Sequence, residues 1–220
     1  MTRLLALLLV LLTGPAPVPA QDTCGTALVL AIDVSNSVDR GEYRLQIDGL
    51  ALALQDPYIV EALVRGRVAL AVLQWSGPDE QQVSAPWQLM ASREEVAGLA
   101  AVVAALPRAF ERSGTAPGDA VLRALALLAD VSHCSRHVID VSGDGQRNMG
   151  RDTAEARAAA EAAGVTVNAL AIELVGNAIA FFFQRQLITA DGFVLSARGH
   201  LDYPRTLRLK LLRELTPPSG

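Results

Sequence analysis

Short apolar runs that end in a polar side chain recur along this chain, and a stretch with helical spacing follows most of them. Ala27-Leu-Val-Leu-Ala-Ile-Asp33, Val68-Ala-Leu-Ala-Val-Leu-Gln-Trp75, His137-Val-Ile-Asp-Val-Ser142 and Val165-Thr-Val-Asn-Ala-Leu-Ala-Ile172 have strand length and are mostly apolar, the first two almost without interruption. Such runs suit strands covered on both faces, as in the middle of a parallel sheet. Helical spacing appears over 39–55 (Tyr43, Ile47, Leu50, Leu54) and 116–130 (Val121, Leu122, Leu125, Leu128). Ser92-x-x-Glu95 and Asp152-x-x-Glu155 have the form of capping boxes and open two more helices, which reach about Leu106 and Gly164. Residues 177–188 and 203–215 complete the helices. Ser76-Gly77-Pro78-Asp79 is turn chemistry, so the strand after it, Gln82–Leu89, is expected to pair antiparallel as a hairpin. Phe193–Ser196 is a short sixth strand. Strands alternating with helices predict a doubly wound α/β fold, with a mostly parallel six-stranded sheet and helices on both faces. No repeat or linker divides residues 21–220, so one domain is expected.

Residues 1–20 read as an address. Arg3 is followed by the apolar run Leu4–Leu12, then Pro15, Pro17 and Pro19, and a small-residue cleavage site at Val18-Pro19-Ala20. That order is a secretory signal peptide. The run would rise about 14 Å as a helix, too little for a bilayer core of about 30 Å. The residues before Cys24 lack a lipoprotein processing pattern. The expected product is 21–220, periplasmic or secreted, with no transmembrane segment. A formal net charge of -4 argues against a nucleic-acid-coating protein. Three scattered histidines and two cysteines do not suit a His- or Cys-built zinc site.

Doubly wound sheets bind ligands at the carboxyl ends of their strands. Asp33-Val-Ser35-Asn-Ser37 follows the first strand, and Ser142-Gly-Asp144-Gly145 follows the fourth. Ser113-Gly-Thr115 precedes a helix between them. Alternate residues of an extended segment point to one side, so Asp33, Ser35 and Ser37 can aim three oxygens at one point. Thr115 adds a hydroxyl and Asp144 a second carboxylate. An all-oxygen set suits Mg²⁺ first, with Mn²⁺ or Ca²⁺ as alternatives. A six-coordinate ion there can keep one position open for a partner's acidic group. The simpler reading makes Ser35, Ser37 and Thr115 helix caps and Asp144 a turn residue.

The D-x-S-x-S spacing, the downstream Thr and the strand-end Asp-Gly together resemble the metal-ion-dependent adhesion site of von Willebrand factor type A domains. The phrases Leu30-Ala-Ile-Asp-Val-Ser35, Gln74-Trp-Ser-Gly77, Pro86-Trp87 and Val138-Ile-Asp-Val-Ser-Gly-Asp-Gly145 resemble a group of exported bacterial proteins of this type without an assigned function. The resemblance implies strand order 3-2-1-4-5-6, with one reversed edge strand. It also implies Asp33, Ser35, Ser37, Thr115 and Asp144 as metal ligands, and metal-mediated binding of a protein that presents Asp or Glu. Ser-Gly-Thr stands here for the commoner Gly-Gly-Thr, and Ser-Gly-Asp-Gly for Thr-Asp-Gly. With that strand order, Cys24 and Cys134 lie just before the amino ends of neighbouring parallel strands, opposite the metal face. In an exported protein a 24–134 disulfide is expected, with two buried thiols as the other reading.

Other classes fit less well. No G-x-S-x-G elbow is present, and no G-x-G-x-x-G follows the first strand. His133 and His137 fall at the wrong strand end, and His200 is expected exposed on a late loop, so a metal-assisted hydrolase lacks an evident base. A metal-independent periplasmic structural or interaction module is the main alternative to metal-dependent binding. Trp75 and Trp87 are expected to pack where the hairpin of strands two and three meets a helix. Phe181-Phe-Phe183 spans about 200° of a helix, which leaves one ring for a partner surface or the underside of a loop; core packing is the expected reading.

Overall fold

The computed structural model describes residues 23–111 and 113–216. The predicted leader 1–20, its cleavage site and the tail 217–220 lie outside the described residues. The elements in chain order are β1 (Thr26–Asp33), α1 (Arg40–Ala53), α2 (Pro57–Arg65), β2 (Val68–Trp75), β3 (Gln81–Leu89), α3 (Arg93–Ala104), α4 (Pro117–Leu128), β4 (Arg136–Gly143), α5 (Thr153–Ala162), β5 (Thr166–Glu173), α6 (Ala178–Gln186), β6 (Val194–Arg198) and α7 (Tyr203–Leu215). Two short 3-10 turns, Ala129–Val131 and His200–Asp202, lead into β4 and α7. The six strands form one sheet in the order β3-β2-β1-β4-β5-β6. All neighbouring pairs are parallel except β2 with β3.

Side-chain alternation explains the largely apolar central strands. Along β1, Leu28, Leu30 and Ile32 face a core formed with α1, α2, α3 and α7. Ala27, Val29 and Ala31 face a second core, formed with α4, α5 and α6. Both faces of the central strands are dry, so neither face can carry polar residues cheaply. Edge strand β3 is half-buried along most of its length, with Ala85 in the first core and Val83, Trp87 and Leu89 against the second. Its register with β2 shifts twice between Leu70 and Leu73, which bends the edge.

Helix α2 was not predicted. Its start was nevertheless encoded: Asp56 accepts hydrogen bonds from Tyr58 N–H and Ile59 N–H, and Pro57 occupies the first turn. Asp56-Pro57 is the signal that separates it from α1, and the reading of one helix over 39–55 passed over it.

Trp75 is fully buried, and Trp87 Nε1 donates to Leu127 O at 3.1 Å, so both tryptophans pack. Core packing holds for Phe182 and Phe183, but Phe181, on the outer side of α6, is 61% exposed. Cys24 and Cys134 form a disulfide, with Cα atoms 4.5 Å apart. Beside it Ser135 N–H donates to Cys24 O and Arg136 N–H to Gly25 O, lacing together the starts of β1 and β4.

Helix α7 carries a charge into the interior. Lys210 is fully buried, with Nζ 2.5 Å from Asp140 Oδ1 on β4 and 3.1 Å from Glu214 Oε1. Asn168 Nδ2 on β5 also donates to Glu214 Oε1, at 2.7 Å. Burial, reinforced by Glu214, pushes the Asp140 carboxyl well above the usual aspartate range, while Lys210 pulls it down. One lysine between two buried carboxylates leaves one negative charge unbalanced, and a proton on Asp140 removes it.

Candidate metal centre

The parallel topology puts the ends of β1 and β4 side by side, with Ile32 paired to Ser142. Asp33 ends β1 and is fully buried. Its Oδ1 accepts the N–H of Ser35 at 2.7 Å, the short-range bond that curls the chain after the strand. The Ser35 and Ser37 hydroxyls are 3.1 Å apart. Ser37 Oγ donates to Asp144 Oδ1 at 2.5 Å, across from the end of β4. Thr115 Oγ1 donates to Ser35 Oγ at 3.3 Å from the loop before α4. The structure therefore brings all five sequence-predicted residues into one cluster of side-chain oxygens.

Residues that sequence reasoning did not single out hold these loops. Arg108 Nη2 donates to Val34 O at 2.9 Å and Ser35 O at 2.8 Å, pinning the turn after β1. Asn148 Oδ1 accepts Thr115 N–H at 2.8 Å, and Asn148 N–H donates to Thr115 O. Ser76 holds the same loop through its Oγ on Gly114 O and its own carbonyl on Ala116 N–H. Nothing in local spacing marks these contacts, because each joins loops that are remote in sequence. Gly143 has a steric role: a Cβ there would stand 2.9 Å from Asp33 Oδ2 and 3.3 Å from the Trp75 ring. The glycine of Ser-Gly-Asp-Gly thus lets β4 lie close against the Asp33 carboxylate.

Charge is under tension in this cluster. Burial, and then the nearby Asp144 carboxylate, push Asp33 up to about 7, against the hydrogen bonds from Ser35. Burial also raises Asp144, against its bond from Ser37. Asp33 Oδ2 is buried and has no hydrogen-bond partner. A buried carboxylate oxygen normally finds a donor. An orphaned oxygen, a second carboxylate and three hydroxyls form a hard, all-oxygen donor set that fits a divalent cation.

One prediction is corrected. His200 was expected exposed on a late loop, but it is 4% exposed and lies in the 3-10 turn before α7. Its Nδ1 is 3.1 Å from Glu42 Oε1 in the first turn of α1. The turn residue Gly199 (φ 75°) folds the chain inward there, and Tyr203 behind it is buried. Glu42 was hidden from sequence reading within a capping box that Asp39 and Glu42 form on α1.

Sheet order, reversed edge strand and the loop cluster at the carboxyl ends define a von Willebrand factor type A fold, and solved structures agree. Proximal thread matrix protein 1 from the mussel byssus superimposes with TM-score 0.65 at 14% identity, over 86% of this chain and 47% of that one. The pilus adhesin SpaC from Lactobacillus rhamnosus GG gives 0.62 at 14%, over 89% and 31%. A von Willebrand factor type A protein from Catenulispora acidiphila gives 0.61 at 17%, over 87% and 43%. The chain spans about half or less of the length of these three proteins. Within that fold class, the chain belongs to the family described as "Protein of unknown function (DUF1194)", whose sequence pattern matches residues 23–219. No curated protein sequence matches it.

Proposed function

We propose that this protein is an exported binding module. In this reading a divalent cation, Mg²⁺ first, held by Asp33, Ser35, Ser37, Thr115 and Asp144, engages an acidic side chain of a partner protein. The observation that carries the reading is the buried, partnerless Asp33 Oδ2, in a carboxyl that feels the charge of Asp144 and sits beside the linked hydroxyls of Ser35, Ser37 and Thr115. A dication relieves the repulsion between Asp33 and Asp144. With only two carboxylates from the chain, it retains affinity for a third from outside. Asp33 and Asp144 would supply the charge, and Ser35, Ser37 and Thr115 neutral oxygens, directly or through water.

The surroundings suit a protein ligand. Met149, Leu174, Val175 and Leu201 are exposed large apolar residues on loops that leave the same edge of the sheet. Exposed apolar groups around a polar centre are what a protein partner buries. Support also comes from the fold class: a second structure of the mussel byssus protein has zinc in its metal-ion-dependent adhesion site (MIDAS) motif, and SpaC is a pilus adhesin. Those relatives fit binding rather than catalysis. The disulfide suits an oxidising compartment, and no described helix is long and apolar enough to cross a membrane. Residues 21–220 are taken as the exported unit.

The test is capture from the exported fraction of the source cells on immobilised wild-type protein and the Asp144→Ala variant, each with Mg²⁺ or with EDTA. The reading expects a protein retained by wild type with Mg²⁺, released by EDTA and ignored by the variant. Retention that is indifferent to EDTA and to Asp144 would establish the metal-independent module instead.

A further inference from the structure

Three side chains from distant parts of the chain converge beside the oxygen cluster. Glu42 lies in the first turn of α1, Asp144 just past β4, and His200 before α7. One ligand atom from each falls within 4.8 Å of the other two. Both ring nitrogens of His200 are buried and lack a hydrogen-bond partner. A neutral imidazole carries one donor and one acceptor, so a ring shut away with neither used is waiting for something. Its Nδ1 lies 3.1 Å from Glu42 Oε1, yet the two do not meet hydrogen-bond geometry.

Two donor atoms at that distance, not bonded to each other, are spaced as neighbouring ligands of one ion. Metal bonds of about 2.0–2.2 Å to imidazole nitrogen and carboxylate oxygen put adjacent ligand atoms roughly 3–3.5 Å apart. Glu42 is already oriented for the role. Its other oxygen, Oε2, accepts Asp39 N–H at 2.8 Å, the kind of outer contact that fixes a ligating carboxylate. Asp144 gives Oδ1 to the Ser37 hydroxyl and retains further acceptor capacity.

We propose that Glu42, Asp144 and His200 form a second cation site, which takes an ion of the zinc class beside the oxygen-only site. Imidazole with carboxylates selects borderline ions such as Zn²⁺ over Mg²⁺, which prefers oxygen. Glu42 brings a carboxylate charge of its own, Asp144 brings one that it shares with the first site, and His200 is a neutral ligand. The three residues come from α1, the loop after β4 and the turn before α7, so the ion ties three elements together at the edge where the partner is proposed to dock. The site shares Asp144 with the first one but does not require it to be filled. Of the described residues, Cys24, His133 and Cys134 also cluster, but both sulfurs there are committed to the disulfide.

The experiment is calorimetric titration of Zn²⁺ into the disulfide-bonded protein in excess Mg²⁺, with the imidazole nitrogens of all three histidines followed by NMR. Magnesium binding is read in the same samples before zinc is added, so the two sites succeed or fail separately. One zinc per chain is expected, moving the ring nitrogens of His200 and leaving those of His133 and His137 in place. His200→Ala and Glu42→Gln should each weaken zinc binding by about 10-fold to 100-fold or more, the scale of even outer-contact losses at metal sites. Glu42→Gln keeps an acceptor for Asp39 N–H, so it serves if the His200 variant does not fold. Zinc that leaves the His200 nitrogens unmoved, or that binds folded Glu42→Gln as tightly as wild type, overturns the proposal.

Discussion

At the residue scale, the candidate site is a set of oxygens whose positions depend on contacts made by other side chains. Arg108 shows this most directly, because one guanidinium nitrogen holds two successive carbonyls of the turn that presents Ser35 and Ser37. A charged donor's hydrogen bond is worth about 1.5–3 kcal/mol, and here one nitrogen divides itself between two carbonyls. Arg108→Ala should therefore lower stability by about 1–3 kcal/mol in chemical denaturation and weaken Mg²⁺ affinity severalfold in calorimetry. The five candidate ligands were legible because their types and spacing are local: D-x-S-x-S lies within five residues, and Thr115 and Asp144 each sit where a strand or helix begins or ends. Arg108, Asn148, Glu42 and His200 were not legible. Each acts across loops, and only the folded chain brings those loops together. His200 was misplaced because a polar residue after a short strand looks solvent-exposed until Gly199 turns it inward.

At the element scale, the strands declared themselves by apolar continuity and the helices by spacing and caps. Only α2 was missed, where Asp56-Pro57 restarts a helix without a glycine break after α1. Nor was the anchoring of α7 visible, because Lys210 and Glu214 look like an exposed i,i+4 pair in sequence. Folded, they lie buried against Asp140 of β4. This contact makes stability depend on pH. Burial holds the folded Asp140 carboxyl well above the ordinary aspartate value of 3.8, so above that value the native state keeps a proton that the unfolded chain has released. The native state binding more protons means that stability falls as pH rises from there, by at most about 1.4 kcal/mol per pH unit. Asp140→Asn imitates the protonated form. Thermal unfolding from pH 5 to 8 should show a shallower decline for Asp140→Asn than for wild type.

At the scale of the whole molecule, the disulfide and the candidate metal centre stand at opposite ends of β1 and β4. The bridge spans a sequence separation of 110 residues between Cys24 and Cys134. Closing a loop of that size removes much unfolded-chain entropy, so the Cys24→Ser, Cys134→Ser double variant should lose about 2–5 kcal/mol, read from denaturant midpoints. Because the bridge sits at the amino ends of the strands, its loss should leave metal affinity unchanged. Only the site end of the sheet answers the central question, whether the oxygen cluster binds an ion. The most direct measurement is thermal unfolding of residues 21–220 in EDTA and in Mg²⁺, Mn²⁺ or Ca²⁺, for wild type beside Asp33→Asn. An ion at ten times its dissociation constant adds about 1.4 kcal/mol to the state that binds it. For a chain of this size the wild-type midpoint should rise by about 3–6 °C. Asp33→Asn, which keeps the acceptor for Ser35 N–H but loses the charge, should show no rise. A wild-type midpoint that stays put for every ion, or a variant that rises equally, would contradict the metal centre.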